Sequence, residues 1–171
     1  PARFRVFINL HGPTVMVAAG ARVAAGRVDT CLGFGAAIRL VSPEVAPEME
    51  KLLSRGSVEW LRSEYDAEHL DGVTLAIAAT DNRDVNRRIG LDARDRGILV
   101  SVADRPDECR FYFPALIKAA VLTAAFAPTH RALPPAHGVA AQYPRRAEQL
   151  ANRGAVGRLA RGGGAPCSRR R

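Results

Sequence analysis

A nearly uninterrupted apolar run at residues 73–79, V-T-L-A-I-A-A, is the feature that most constrains the fold. Short runs of this kind are typical of a strand that is buried on both faces of a parallel sheet. The run passes into Thr80-Asp81-Asn82, a cluster of helix-capping residue types. A helix is predicted over residues 85–96, and Gly97 is its predicted stop. A buried strand that leads directly into a helix predicts an α/β fold.

The same alternation of strands and helices runs along the chain as far as residue 103. Apolar, β-prone runs predict strands at residues 4–10, 14–18, 38–41, 58–61, 73–79 and 98–103. Helical spacing predicts helices over residues 22–32, 44–55 and 85–96. Short links between these elements predict a Rossmann-like, doubly wound parallel sheet with helices on both faces. Two further strands are predicted at residues 111–117 and 121–127.

Charge is distributed unevenly along the chain. Residues 127–171 contain nine of the 25 Lys and Arg but only one of the 17 Asp and Glu, so residues 1–126 carry sixteen of each sign. A balanced body favours a small-molecule enzyme over a nucleic-acid-binding protein. Binding of a nucleic acid or an acidic partner through the Arg-rich tail is the least favoured alternative. Residues 128–171 also contain five Pro and six Gly, which predicts a divergent, basic and poorly ordered tail.

Hydropathy and cysteine usage indicate the cellular compartment. No apolar run approaches the roughly 18 residues that a membrane-spanning helix needs, so we expect no membrane partner. The N-terminal residues become polar too soon for a secretory signal. Cys31, Cys109 and Cys167 lie far apart in no metal-ligand spacing. Free thiols in a reducing cytosol are therefore expected, and with them a cytoplasmic protein.

A candidate phosphate loop lies between the second predicted strand and the first helix, and reads A-G-A-R-V-A at residues 19–24. Glycines at such a turn let the backbone approach a pyrophosphate, and the following helix offers free N–H groups. Alanines stand at the first two glycine positions of the dinucleotide-binding pattern, and Gly20 lies between them. From the residues alone, the loop is either a cofactor site or a tight turn. Glu44 is likewise either the acidic residue that binds a ribose or a first-turn helix residue.

Asp104 follows the strand predicted at residues 98–103. Ligands of open α/β sheets bind beyond the carboxyl ends of the strands, so Asp104 stands where a reacting group would be expected. A carboxylate at this place can accept a proton from a substrate. The alternative is that Asp104 only caps the turn at Arg105-Pro106.

The order and spacing of several motifs carry a resemblance to a known family. They are F-I-N-L at 7–10, V-A-A-G-A-R-V-A-A-G-R-V at 17–28, G-A-A-I-R-L-V-S-P-E at 35–44, L-A-I-A-A-T-D-N-R-D-V-N at 75–86, V-S-V-A-D-R-P at 100–106, F-Y-F-P-A at 111–115 and Leu122-Thr123. Together they resemble the precorrin-2 dehydrogenase / sirohydrochlorin ferrochelatase family, which is the N-terminal module of siroheme synthase. The resemblance covers residues 3 to 126.

The resemblance implies an oxidoreductase with an NAD-binding Rossmann-like domain at residues 1–113 and the start of a dimerisation and substrate domain at residues 114–127. The implied reaction is the NAD-dependent oxidation of precorrin-2, a tetrapyrrole, to sirohydrochlorin in siroheme biosynthesis. Ferrous iron is implied as a possible second substrate, and a homodimer as the assembly. NAD and NADP are not distinguished.

The resemblance also assigns residues to roles. Asp104 matches the family's catalytic carboxylate and, by the same match, a possible contact for the metal. The cofactor would be bound by Gly20, Ala21, Arg22, Val23, Pro43, Glu44, Thr80 and Asp81. The carboxylates of the substrate would be bound by Arg105, Arg110 and Lys118, each of which could instead be an ordinary surface charge.

The sequence departs from the family after residue 126. A segment with serine and two glycines is replaced by A-P-T-H-R-A-L at residues 127–133. The departure leaves open an alternative function, in which a catalytically degenerate member binds tetrapyrrole or metal without oxidising it.

Overall fold

The computed structural model describes residues 6–19, 22–55, 57–119 and 122–126. Residue contacts divide the chain into two compact units, Pro1–Tyr112 and Phe113–Arg171. The roles given above to residues 1–113 and 114–127 stay predictions. The tail predicted at residues 128–171 lies outside the described residues.

Five parallel strands form the sheet of the first unit, in the order β3-β2-β1-β4-β5. Their bounds are β1 Thr14–Ala19, β2 Ala37–Val41, β3 Val58–Leu61, β4 Val73–Ala79 and β5 Leu99–Val102. Successive strands run outward from β1 to β3, and the chain then returns to place β4 on the other side of β1. The point between β1 and β4 is therefore the topological switch point of the sheet. This arrangement confirms the predicted α/β, Rossmann-like class.

Three α-helices cover the sheet within the described part of the chain: α1 Arg22–Leu32, α2 Pro47–Leu53 and α3 Arg83–Asp95. Helix α1 packs against α2, whereas α3 packs against β4, β5 and a short 3-10 helix, Ala67–Leu70. The right-handed crossover rule puts α1 and α2 on one face and α3 on the other. None of the helices that the structure describes is long and apolar enough to cross a membrane.

The central strands are covered on both faces. Consecutive side chains of a strand point to opposite faces of the sheet, and Val15, Met16 and Val17 are all 0% exposed. On the α3 face, Met16 belongs to one buried cluster with Ile89 of α3 and Val100 of β5. This packing fixes α3 against β4 and β5, the strands that precede Thr80 and Asp104.

Helix α3 begins and ends at the signals read from the sequence. The Asn82 side-chain oxygen accepts hydrogen bonds from the backbone N–H groups of Asp84 (2.9 Å) and Val85 (3.3 Å). After the last turn, Gly97 adopts a φ of 72°, and the N–H of Ile98 donates to the Ala93 carbonyl at 2.8 Å. Glycine is favoured there because L side chains rarely adopt this conformation.

The bounds of two elements predicted within the first 55 residues are wrong. The strand predicted at residues 4–10 is absent over residues 6–10. Both edges of β1 are already paired, with β2 and β4, so no sheet edge next to it is open to an earlier strand. The helix predicted over residues 44–55 begins only at Pro47, where the missing N–H of proline costs no hydrogen bond.

The strand predicted at residues 111–117 is displaced along the sequence, because the observed strand begins four residues later and ends two residues later. The backbone N–H groups of Arg110 and Phe111 donate to the Val100 carbonyl, at 2.7 and 3.4 Å, so these two residues lie beside β5. In the second unit, strand β6 begins at Ala115 and pairs antiparallel with β7; their bounds are Ala115–Ala119 and Leu122–Phe126.

The packing of α3 predicts a difference between two similar truncations. Ile89 is 0% exposed and Leu91, two residues along the same helix, is 47% exposed. Ile89→Ala should lower the free energy of unfolding by about 2–5 kcal/mol because it leaves a cavity, whereas Leu91→Ala should cost less than about 1 kcal/mol. Urea unfolding followed by circular dichroism measures both. Equal losses would contradict the orientation of α3.

Candidate functional site

Four of the parallel strands end at nearly the same level. Cα partners near the strand ends are Ala18–Val41, Ala19–Ala79 and Ala78–Val102. The residues that follow β1, β2, β4 and β5 therefore emerge along one edge of the sheet. This is the edge at which open α/β sheets bind their ligands, and the switch point between β1 and β4 lies at its centre.

Two residues separate the end of β1 from the start of α1, and the first turn of α1 suits an anion. It contains no acidic residue, whereas Glu48 and Glu50 lie in the first turn of α2, and Asp84 lies in that of α3. The positive end of the α1 dipole is thus not offset by a carboxylate from its own first turn. The backbone of Arg22 and Val23 forms the start of this turn.

The substituted glycine position at residue 19 is accommodated by the sheet. Ala19 is the last residue of β1 and is only 5% exposed, so its Cβ packs in the sheet and does not lie in the turn. Ala79, its partner at the end of β4, is equally small. Small residues at both strand ends suit the close approach of a dinucleotide. Gly20 and Ala21 lie outside the described residues.

Pro43 and Glu44 form an exposed bend immediately after β2. The Ser42 hydroxyl donates to the Glu44 carbonyl, and the Trp60 indole N–H donates to the Ser42 carbonyl at 3.0 Å. These two contacts hold the bend against β3. Glu44 precedes α2 by three residues, so its interpretation as a first-turn helix residue is wrong. Its carboxylate stands exposed at the edge where a ribose would be bound.

Thr80 and Asp81 follow β4 and begin the link to α3; Thr80 is half-buried and Asp81 is exposed. Thr80 makes three hydrogen bonds with the side chain of Asn86. Its backbone N–H (2.9 Å) and hydroxyl (2.7 Å) donate to Asn86 Oδ1, and its carbonyl accepts from Asn86 Nδ2 at 2.9 Å. The contacts pin the end of β4 to the first turns of α3.

Asp104 lies two residues beyond β5, and α3 reaches both of its oxygens. Oδ1 accepts a hydrogen bond from Asn86 Nδ2 at 3.2 Å, and Oδ2 lies 3.6 Å from the Nε of Arg83. The same guanidinium pairs with the Glu108 carboxylate, so one cation lies between two anions. The 3-10 helix Pro106–Glu108 has no side-chain cap. Asp104 thus contacts α3, and the turn-capping alternative is not observed.

The predicted substrate-binding cations are spread along the chain. Arg105 is exposed and adjacent to Asp104, while Arg110 is exposed beside the middle of β5. Lys118 lies in β6 opposite Thr123, in the second unit. Among the ion pairs of the described residues, Asp104 pairs with Arg83 and with neither Arg105 nor Arg110. The substrate-binding role of the three predicted residues stays a prediction.

Sequence reasoning missed Asn86 and Arg83. Both lie in the motif at residues 75–86, one helical turn apart, where residues share a face. Asn86 is 2% exposed, next to the apolar position of Val85. Asn86 is a polar residue within the apolar stripe of an amphipathic helix. That position was the signal that could have identified it, because a buried amide needs hydrogen-bond partners.

The described cysteines are free, as predicted for Cys31 and Cys109. Burial raises the pKa of the Cys31 thiol to about 11, so it stays protonated. The Cys109 sulfur contacts both the N–H (3.1 Å) and the carbonyl (3.2 Å) of Val102 at the end of β5. Cys167 lies outside the described residues. No group of three or more His, Cys, Asp or Glu that could hold a metal occurs in the described ranges, and the metal contact of Asp104 stays a prediction.

Comparisons with known proteins agree with this geometry. A family model described as "Putative NAD(P)-binding" matches residues 6–115. A "Probable multifunctional siroheme biosynthesis protein" of Ruminiclostridium josui is 40% identical over 116 residues, which are 68% of this chain and 22% of that protein. A siroheme synthase of Chromobacterium violaceum is 40% identical over 124 residues, which are 72% of this chain and 26% of that protein.

This chain covers a larger share of one solved structure than of these two relatives. SirC, a precorrin-2 dehydrogenase, superposes with a TM-score of 0.66 at 25% identity, covering 88% of this chain and 71% of that chain. The chain spans about a quarter of the length of the two curated relatives. Its similarity to them confirms the resemblance to the N-terminal module of siroheme synthase, and the chain belongs to the NAD(P)-binding family whose model matches residues 6–115.

Proposed function

We propose that the chain oxidises precorrin-2 to sirohydrochlorin with NAD as the oxidant. The observation that carries the proposal is a carboxylate, Asp104, held by α3 at the sheet edge that contains the switch point. Membership of an NAD(P)-binding family and similarity to SirC support it. The reaction removes a hydride and a proton from precorrin-2 and yields sirohydrochlorin, NADH and a proton.

The cofactor would lie across the switch point. The start of α1, with Gly20, Ala21, Arg22 and Val23, would bind the pyrophosphate through backbone N–H groups. Thr80 and Asp81 would close the cleft on the side of β4, and Pro43 and Glu44 would meet the adenosine ribose. When bound, NAD supplies the hydride acceptor. An exposed carboxylate at Glu44 favours NAD over NADP, because it accepts hydrogen bonds from ribose hydroxyls and repels a 2′-phosphate.

Asp104 would accept the proton that leaves the macrocycle. It is 38% exposed at its side chain, so a large substrate can reach it from the solvent side. Because precorrin-2 carries several carboxylates, the basic side chains of Arg105, Arg110 and Lys118 would bind its periphery through charge-assisted hydrogen bonds.

Three finer statements belong to the same proposal. Ferrous iron would be a second substrate, with Asp104 helping to remove pyrrole N–H protons before the metal enters. The active form would be a homodimer that uses the segment from residue 114 onward, as the family resemblance implies. The compartment would be the cytoplasm, which the free thiols of Cys31 and Cys109 support.

Removal of the carboxylate charge should abolish most turnover. Asp104→Asn keeps the shape of the side chain but cannot accept the proton, so we expect kcat to fall by about 10²–10⁴-fold. The affinity for NAD should stay unchanged. The assay is an anaerobic incubation with precorrin-2 and NAD, in which sirohydrochlorin absorbance and NADH are followed together.

Asp107→Asn is the matched control, since it neutralises a nearby exposed carboxylate in the 3-10 helix Pro106–Glu108. It should keep the activity of the unmodified chain. Full activity in Asp104→Asn would remove Asp104 from the mechanism. A folded, unmodified chain that binds precorrin-2 but forms no NADH would support the degenerate alternative instead.

The exposed Glu44 predicts cofactor preference. Glu44→Gln should raise KM for NAD by about 10-fold and narrow the preference for NAD over NADP, because a charged acceptor and its repulsion of phosphate are both lost. Initial rates with each cofactor measure the ratio, and Glu48→Gln, an exposed change in the first turn of α2, is the control. An unchanged NAD/NADP ratio in Glu44→Gln would exclude Glu44 from the ribose site.

A further inference from the structure

Asn86 is a buried amide whose hydrogen-bonding capacity is used in full. It is 2% exposed, and its Oδ1 accepts two hydrogen bonds from Thr80, from the backbone N–H and from the hydroxyl. Its two N–H donors go to the Thr80 carbonyl and to Asp104 Oδ1. An amide offers two donors and two acceptor sites. All four are therefore occupied by two residues that follow neighbouring strands, β4 and β5.

The orientation of this amide is dictated by Thr80. Rotation by 180° would turn the Asn86 NH₂ group toward the Thr80 N–H and the Asn86 oxygen toward the Thr80 carbonyl. Both contacts would then pair like with like, donor with donor and acceptor with acceptor, in a buried place where unpaired polar groups cost about 1–3 kcal/mol each. The donor is thus held toward Asp104 by contacts that do not involve Asp104.

We propose that Asn86 is a positioning residue for Asp104, and that its amide fixes the plane in which this carboxylate meets the substrate. Arg83 completes the arrangement one helical turn earlier, where its Nε lies 3.6 Å from the second oxygen. The proposal rests on the function proposed above. It goes beyond that function because it gives a role in the reaction to a residue that does not touch the substrate.

The contacts leave Asp104 able to act as a proton acceptor. Each carboxylate oxygen has about two lone-pair sites. Asn86 takes one site on Oδ1, and Arg83 contacts Oδ2 as an ion pair at 3.6 Å, beyond hydrogen-bond distance. The remaining sites stay open to the solvent side. Asp104 itself lies in an exposed segment between β5 and the 3-10 helix, whereas Asn86 is anchored in the core of α3. The amide therefore ties an exposed catalytic group to the sheet, and misplacement of a reacting group by about 1 Å can cost on the order of 100-fold in rate.

A double-mutant cycle tests the role. Asn86→Ala should lower kcat for sirohydrochlorin formation by about 10–100-fold, while KM for precorrin-2 and for NAD changes by less than about 3-fold. In an Asp104→Ala background, the same change should lower the residual rate by less than about 3-fold, because a residue that acts through Asp104 has nothing left to position. A purely structural role predicts the full loss in both backgrounds.

Two further variants separate positioning from folding. Asn86→Asp has the shape of Asn86 and keeps an acceptor toward the Thr80 N–H, but presents an oxygen to Asp104, so kcat should fall as in Asn86→Ala. Ile89→Ala removes a buried apolar side chain from the same helix, and its kcat below the unfolding temperature should stay within about 2-fold of the unmodified chain. Asn86 variants with unchanged kcat, or with an equal loss in both backgrounds, would overturn the proposal.

A readout without turnover distinguishes failure of the proposed function from failure of this inference. The side-chain ¹⁵N–¹H₂ resonances of Asn86 should shift when Asp104 is changed to Ala, and should stay in place in the Asp107→Asn control. An unmodified chain without turnover would contradict the proposed function and, with it, any catalytic positioning. If the unmodified protein is active but the Asn86 resonances do not shift in Asp104→Ala, the inference about Asn86 is contradicted and the proposed function is not.

Discussion

The level at which parallel strands end is the constraint on which this structure depends. The backbone pairing of β1 with β2 and β4, and of β4 with β5, leaves the residues after these strands along one edge. A shift by one residue would exchange the two buried faces of β1 and β4, so each side chain would have to pack against the helices of the opposite face. The helix start at Arg22, the bend at Glu44 and the carboxylate of Asp104 are thereby brought to one edge of the sheet from distant parts of the sequence.

Polar contacts refine what the sheet brings together. The pair between Arg83 and Asp104 is partly exposed, with side chains 34% and 38% accessible. Such a pair contributes about 0–1 kcal/mol to stability, so its consequence lies in orientation and local charge. The Asn86 amide is different because it is buried, and its removal would take hydrogen-bond partners away from the backbone N–H and carbonyl of Thr80. Through Asn86, helix α3 thus contacts both Thr80 after β4 and the Asp104 carboxylate after β5.

Local patterns in the sequence predict much of this fold. Apolar runs locate β4 and β5, the capping residue Asn82 and Gly97 bound α3, and the end of β5 identifies Asp104. The failures concern features that depend on contacts distant in sequence. The segment at residues 6–10 is β-prone, but both edges of β1 are already paired. The role of Asn86 requires knowledge that its side chain contacts both Thr80, after β4, and Asp104, after β5, and no spacing along the chain gives it.

The most direct measurement is a single-turnover reaction of the unmodified chain, in excess, with anaerobic precorrin-2 and NAD, in which both products are counted. We expect one NADH for each sirohydrochlorin formed, and this result would establish the dehydrogenase activity proposed for the sheet edge at the switch point. Sirohydrochlorin without NADH, or no conversion by folded protein that binds NAD and precorrin-2, would contradict it.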